Sequence, residues 1–246
     1  MRRTRIFTDK ALAESATVEL DARNNHYLIH VLRVKQGQAL QLFNGSGREF
    51  NAQVDALTRK SVRVLIAEEV NPTVVESPLH TTLGIAISKG DRMDWVIQKA
   101  TELGVNVIQP LVSERVDVKL NAERRVKKFA HWQATLISAC EQSGRCVLPS
   151  LQPLKSIDEW LPNDNSDCKL VLRAKANSFE QVKSHFTSTP QSASVIIGPE
   201  GGLSPEEITI AVTQGYHPVG FGSRVLRTET APIVALSILQ ASWGDF

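Results

Sequence analysis

Two polar loops near the end of the 246-residue chain carry the residue types best suited to chemistry. The first is Gly198-Pro199-Glu200-Gly201-Gly202. The second is Gly222-Ser223-Arg224-Val225-Leu226-Arg227-Thr228-Glu229-Thr230-Ala231. Glycine lets a backbone turn tightly or approach a ligand closely, while guanidinium, carboxylate and hydroxyl groups bind charge and move protons. Each loop follows a short apolar run (194–197 and 219–221) and precedes a helix start. Ser204-Pro205-Glu206-Glu207 offers a Ser cap, Pro at the first helical position and Glu at the capping-box position. Thr230 or Ala231 precedes Pro232 and the apolar run 233–239. Paired strand–loop–helix units make a small-molecule site at the carboxyl ends of the strands. Taken singly, each loop has a plainer reading. The first is also a tight turn, and the second is also an internal ion pair with capping hydroxyls. Neither a G-x-G-x-x-G nor a P-loop ending is present, so binding of a nucleotide phosphate is poorly supported. Glu141-Gln142-Ser143-Gly144-Arg145 forms a third polar cluster, for which a solvated helix end is the plainer reading.

The elements that must hold these loops are legible from pattern. Residues 1–70 read as short strands at 17–20, 39–43, 49–56 and 61–68, with Asn44-Gly45-Ser46-Gly47 as a hairpin turn and one helix over 22–32. This predicts a small β-barrel. Asn71-Pro72 and Glu76-Ser77-Pro78 punctuate a linker, which places a domain boundary between 72 and 73. Beyond it, strands at 79–87, 105–111 and 170–172 alternate with helices at 92–103, 121–143 and 178–186, followed by the two strand–loop–helix units. Alternation of this kind predicts an α/β domain over 73–246, built on a parallel sheet covered on both faces.

Composition narrows the class. With 42% hydrophobic residues the chain buries a core, and no run reaches the roughly 18–20 apolar residues of a membrane span. The basic start Met1-Arg2-Arg3-Thr4-Arg5 has no apolar signal core behind it. Cys140, Cys146 and Cys168 lack C-x-x-C spacing, which argues against a disulfide framework or a zinc site and makes a reducing cytoplasm the expected compartment. The net charge of +2 hides an asymmetry, since cations outnumber carboxylates in 1–145 and the reverse holds in 146–246. A basic bias away from the glycine loops fits a nucleic-acid partner.

Taken together, the motifs carry more than any one of them. Lys89-Gly90-Asp91-Arg92-Met93-Asp94, Gln98-Lys99-Ala100-Thr101-Glu102-Leu103-Gly104-Val105, Ser113-Glu114-Arg115, the Glu141–Arg145 cluster and the two terminal loops occur in this order. Arg2, Arg5 and Val31-Leu32-Arg33 stand in front of them. Over essentially its whole length this set resembles the RsmE family, the 16S ribosomal RNA uridine N3-methyltransferases of the SPOUT class. The resemblance implies an N-terminal PUA-like RNA-binding β-barrel followed by a SPOUT-type trefoil-knotted α/β methyltransferase domain. It implies S-adenosylmethionine as cofactor and 16S rRNA in the small ribosomal subunit as substrate. It also implies a homodimer with the final helix at its interface, no metal and no membrane. The cofactor would meet Leu172, then Ile197, Gly198, Pro199, Glu200 and Gly201, then Phe221, Gly222, Val225, Leu226, Arg227 and Thr228. RNA contacts would come from Arg2, Arg5, Arg33, Lys89, Arg92, Arg115 and Arg145. Near relatives are expected to carry His-Pro where this chain has Arg173-Ala174.

The chemistry sets its own demands. Uridine N3 is a poor nucleophile until its proton leaves, so the site needs a proton acceptor or a cation that stabilises the uracil anion. Arg227 is the candidate cation, and Glu141 and Glu229 are the candidate bases. Two other classes remain open on the residues alone. One is an RNA-binding assembly protein that needs no cofactor, and the other is an enzyme of a small phosphorylated metabolite with 198–202 as its anion loop.

Overall fold

The computed structural model describes residues 4–116 and 121–246, so Arg2 lies outside the described residues. The chain divides into two compact units. The first runs to Glu76 and also takes in Cys140–Leu148; the second comprises Ser77–Ala139 and Pro149–Phe246. The first unit ends a few residues past the expected boundary between 72 and 73, and it also takes in a segment, 140–148, from the expected second domain.

The first unit contains β1 (Thr4–Phe7), β2 (Thr17–Glu19), α1 (Ala22–His26), β3 (Ala39–Phe43), β4 (Glu49–Leu57) and β5 (Val62–Val70). Its sheet runs β1-β3-β4-β5-β2, with β1 parallel to β3 and the other pairs antiparallel. Strand β5 shows why the pattern was readable. Val62, Val64 and Ile66 point into the core while Arg63 and Leu65 face solvent, the period of two that a half-buried strand requires. The helix expected over 22–32 is α1 followed by a π-helical turn, Tyr27–Val31, in which the Leu32 amide reaches back to the Tyr27 carbonyl.

Strand β1 was not predicted, and Arg5 is the reason. It lies on the face opposite Ile6, which joins the core, and is buried as well, so the strand shows no alternation of apolar and polar residues. Its side chain is 3% exposed and its Nε lies 2.6 Å from Glu49, itself fully buried. The guanidinium also donates to the Cys140 carbonyl at 2.7 Å and the Arg145 carbonyl at 3.2 Å, which packs 140–148 into this unit.

The second unit contains β6 (His80–Ala86), α2 (Arg92–Glu102), β7 (Val107–Val112), α3 (Ala122–Ser143, whose last turn belongs to the first unit), β8 (Ser150–Leu151), β9 (Lys155–Ser156) and α4 (Ile157–Trp160). It continues with β10 (Cys168–Ser178), α5 (Phe179–Lys183), β11 (Ser192–Ile197), α6 (Pro205–Thr213), β12 (His217–Gly220) and α7 (Ala231–Trp243). The sheet is parallel, in the order β12-β10-β11-β6-β7-β8, with β9 also on β7. The expected strand at 170–172 is longer because β10 resumes after an excursion. Leu172 and Asn177 both face Val219, so residues 173–176 bulge out of the ladder.

One buried polar cluster braces the strands that carry the terminal loops. Asp164 accepts hydrogen bonds from the hydroxyls of Ser194 on β11 and of Tyr216 just before β12, and from Ser166 Oγ at 2.7 Å. Burial pushes the Asp164 carboxyl up, but these donors outweigh it and hold the group below its ordinary value. The stabilisation is therefore complete above the unfolded carboxylate value of about 3.9 and is lost as pH falls through the lower folded one. Asp164→Asn should cost about 1.5–3 kcal/mol at pH 7 in urea unfolding. The gap from the unmodified protein should narrow as the pH drops below about 4. A gap that stays constant from pH 7 to pH 3 would show that the carboxylate charge is not what the cluster uses.

Candidate functional site

The site is built where three neighbouring parallel strands end. After β11 the backbone turns at residues 198–202, closed by the Gly202 amide donating to the Pro199 carbonyl at 2.8 Å. The turn has no room for a side chain at its first position. A β-carbon on Gly198 would lie 2.8 Å from the Leu203 amide nitrogen, and Gly202 adopts a φ of +70°. The expected capping box follows. Ser204 Oγ accepts from the Glu207 amide at 3.2 Å and Glu207 accepts from the Ser204 amide at 2.8 Å, which starts α6. After β12 the second loop leads into α7. Here the Arg227 carbonyl accepts from the amides of Thr230 and Ala231, both at 2.9 Å, in place of a side-chain cap.

These two loops and the 173–176 bulge enclose a cavity of about 490 Å³. All twelve residues expected to meet the cofactor line it, from Leu172 through the 197–201 segment to the 221–222 and 225–228 segments. Four further residues, not named among the cofactor contacts, also line it: Arg173, Ala174, Leu203 and Arg224. The first two sit on the bulge of β10, which no local pattern announces. Four guanidinium groups (Arg92, Arg173, Arg224, Arg227) and two carboxylates (Glu200, Glu229) line the cavity, so it offers partners for both signs of charge. Arg92 pairs with Glu200 and stands 3.7 Å from Glu229. Thr228 donates to Glu229 at 3.2 Å, while the Arg227 side chain is 82% exposed and 4.0 Å from the same carboxylate.

The remaining candidates separate into two kinds. Arg33, Lys89 and Arg115 are exposed cations, and Arg115 donates to the Gly201 carbonyl at 2.9 Å. Arg5 and Arg145 are not RNA contacts. Both are buried, Arg5 on Glu49 and Arg145 on Glu76 at 2.6 Å. A desolvated cation is retained inside a protein by a partner rather than by a distant ligand. Glu141 is also corrected. It accepts from the Phe7 amide at 3.0 Å and pairs with Arg23 at 2.8 Å, and it does not line the cavity. Among the described residues no group of three His, Cys, Asp or Glu side chains is placed to hold a metal. The three cysteines are free and buried, and burial pushes the Cys140 and Cys168 thiols up to about 12.

Comparison with known proteins agrees with this geometry. Residues 75–240 match the RNA methyltransferase domain family, and residues 20–67 match the RNA methyltransferase PUA domain. The ribosomal RNA small subunit methyltransferase E of Buchnera aphidicola is 32% identical, covering 98% of this chain and 94% of its own. The protein of the same name from Neisseria gonorrhoeae, solved bound to S-adenosylmethionine, superposes with a TM-score of 0.90 at 37% identity over the full length of both chains. A Legionella pneumophila protein solved with S-adenosylmethionine as bound cofactor gives 0.94 at 40% identity, again over both full chains.

The buried Arg5–Glu49 pair yields a direct test of the corrected assignment. Removing one partner of such a pair leaves an uncompensated charge, so Arg5→Met should destabilise the protein by about 3–5 kcal/mol. The double variant Arg5→Met/Glu49→Leu should recover much of that loss in urea unfolding. An Arg5→Met protein of unchanged stability would return Arg5 to the list of ligand-binding cations.

Proposed function

The chain belongs to the RsmE family of small-subunit ribosomal RNA methyltransferases, and on that premise we propose that it transfers the methyl group of S-adenosylmethionine to N3 of a uridine in 16S rRNA. The observation that carries this reading is the convergence of the two terminal loops and the β10 bulge on one cavity. The residues present fit the cofactor. A volume of about 490 Å³ lies in the range of small-molecule sites. The glycine turn at 198–202 brings backbone where a side chain would stand, and Leu172, Ile197 and Leu226 offer apolar contact for an adenine. When bound, the cofactor supplies an electrophilic methyl group on a sulfonium.

The protein's own residues then have distinct tasks. The loops fix the acceptor base for in-line attack, and such positioning supplies much of the acceleration. Arg227 stabilises charge on a uracil carbonyl as the N3 proton leaves. Glu229, held between Arg92, Thr228 and Arg227, is the proton acceptor. Arg33 and Arg2 belong to the unit that grips the flanking RNA, since a base must leave its stack to be methylated. Helix α7 supports a homodimer. It contains no charged residue, and Ile233, Val234 and Ile238 remain partly exposed on it, whereas a helix apolar on all sides calls for cover on all sides. Cytoplasmic location and independence of metal complete the reading. Among the described residues no helix is long and apolar enough to cross a membrane.

Primer extension on 16S rRNA from cells lacking the protein tests the assignment, because a methyl at N3 blocks pairing and stops the polymerase. No stop lost in the deletion strain would remove the uridine. Within the site, Arg227→Ala should lower kcat by roughly 10²–10³-fold, the effect of losing one preorganised donor, while calorimetry shows nearly unchanged cofactor affinity. Arg227→Lys should rescue poorly, since an ammonium lacks the planar fork. An alanine variant with near-normal turnover would make Arg227 a structural partner of Glu229.

A further inference from the structure

A second cleft, of about 520 Å³, adjoins the cofactor cavity and is lined by Lys89, Arg92, Arg115, Glu200 and Gly201. Three of these residues, Arg92, Glu200 and Gly201, line both spaces. The Arg92–Glu200 ion pair is therefore a partition between them. It is an exposed pair, with side chains 41% and 43% accessible, and such pairs hold weakly against competing charge. On the cleft side three cations meet one carboxylate. Arg115 is already oriented there by its bond to the Gly201 carbonyl, and Lys89 is an exposed lining residue.

We propose that this cleft is the subsite for a phosphodiester of the acceptor strand, and that the arriving phosphate draws Arg92 away from Glu200. The proposal rests on the methyltransferase reading of the adjoining cavity. An extruded nucleotide carries its base and its phosphate at opposite ends of one ribose. A base entering the cavity past the partition therefore brings a phosphate to the cleft. Arg92 offers that phosphate a bidentate fork in exchange for its exposed carboxylate partner, while Lys89 adds a point charge. Arg92 is then a positioning residue that links RNA engagement to the cavity. Moving it also takes a cation from beside Glu229, 3.7 Å away.

The test is steady-state methylation of unmethylated small ribosomal subunits by the full chain, at saturating cofactor and over a range of salt. Lys89→Gln should raise KM for the subunit about 3- to 10-fold and reduce the slope of log KM against log salt by about 1, with calorimetric cofactor affinity unchanged. Glu200→Gln releases Arg92 from its competitor and should move KM the opposite way, lowering it by about 2- to 5-fold. Glu206→Gln, an exposed acid on α6 outside the cleft, should leave KM where it is. The proposal fails if Lys89→Gln leaves KM and the salt slope untouched. It fails equally if Glu200→Gln does not lower KM, or if Glu206→Gln lowers it as much. Loss of cofactor affinity in Lys89→Gln would assign the cleft to the cofactor's own carboxylate and also overturn it. Absence of any transfer by the unmodified protein would instead refute the methyltransferase reading itself.

Discussion

The parallel pairing of β10 with β11 on one side and β12 on the other is the constraint from which the site follows. Val171 lies level with Ile196 and with Pro218, so the three strands end side by side and their loops emerge on one edge. Parallel strands require that edge to be filled by crossover segments, which concentrates polar loop residues where the backbone is already fixed. The bulge at 173–176 is the consequence on the central strand. Opposite Val219 of β12 the extra residues leave the ladder, with Arg173 and Ala174 lining the cavity, and Lys175 takes a φ of +61° to make the turn.

Buried polar groups reinforce this arrangement in both units, and they do so differently. Asp164 joins β11 to the segment just before β12 through two hydroxyls, so that the two strands that carry the terminal loops share one anchor. Arg5 and Glu49 join β1 and β4 and recruit the carbonyls that end α3. Both clusters cost desolvation and are sustained because nearly every donor and acceptor finds a partner. They fix which segments meet, a task that apolar packing alone performs with less selectivity.

How much of this was legible depends on whether the signal is local. Capping at Ser204, the glycine turn at 198–202 and the alternation of β5 are written in adjacent residues, and reading them was enough to place those elements. The twelve cofactor-contact candidates also fall around one cavity, because loops that follow adjacent parallel strands must converge. Arg5, Arg145 and Glu141 show the opposite case. Their type suggested solvent or ligand, and only tertiary contacts 44 to 141 residues away reveal that they are structural. Arg173 and Ala174 stood directly after the cofactor candidate Leu172, as a departure from an expected His-Pro pair. Their place in the cavity wall depends on a bulge opposite β12, visible only once the strands are paired.

The exposure of the reactive loop has a physical meaning of its own. Val225 is 85% exposed and the Arg227 side chain 82% exposed, on the same loop that buries Thr228. A guanidinium in water stabilises a developing oxyanion weakly, because a high dielectric screens it and water must reorganise around it. For Arg227 to act on a uracil, water has to leave this side of the cavity. The apolar Val225 is suited to contact with whatever displaces it, and a flipped nucleotide with its flanking strand supplies both the charge to be stabilised and the surface that excludes water. On this argument the ligand completes the low-dielectric side of the site. Under the role proposed for Arg227, its cation stays solvated in the free protein and takes full effect only with the acceptor base in place.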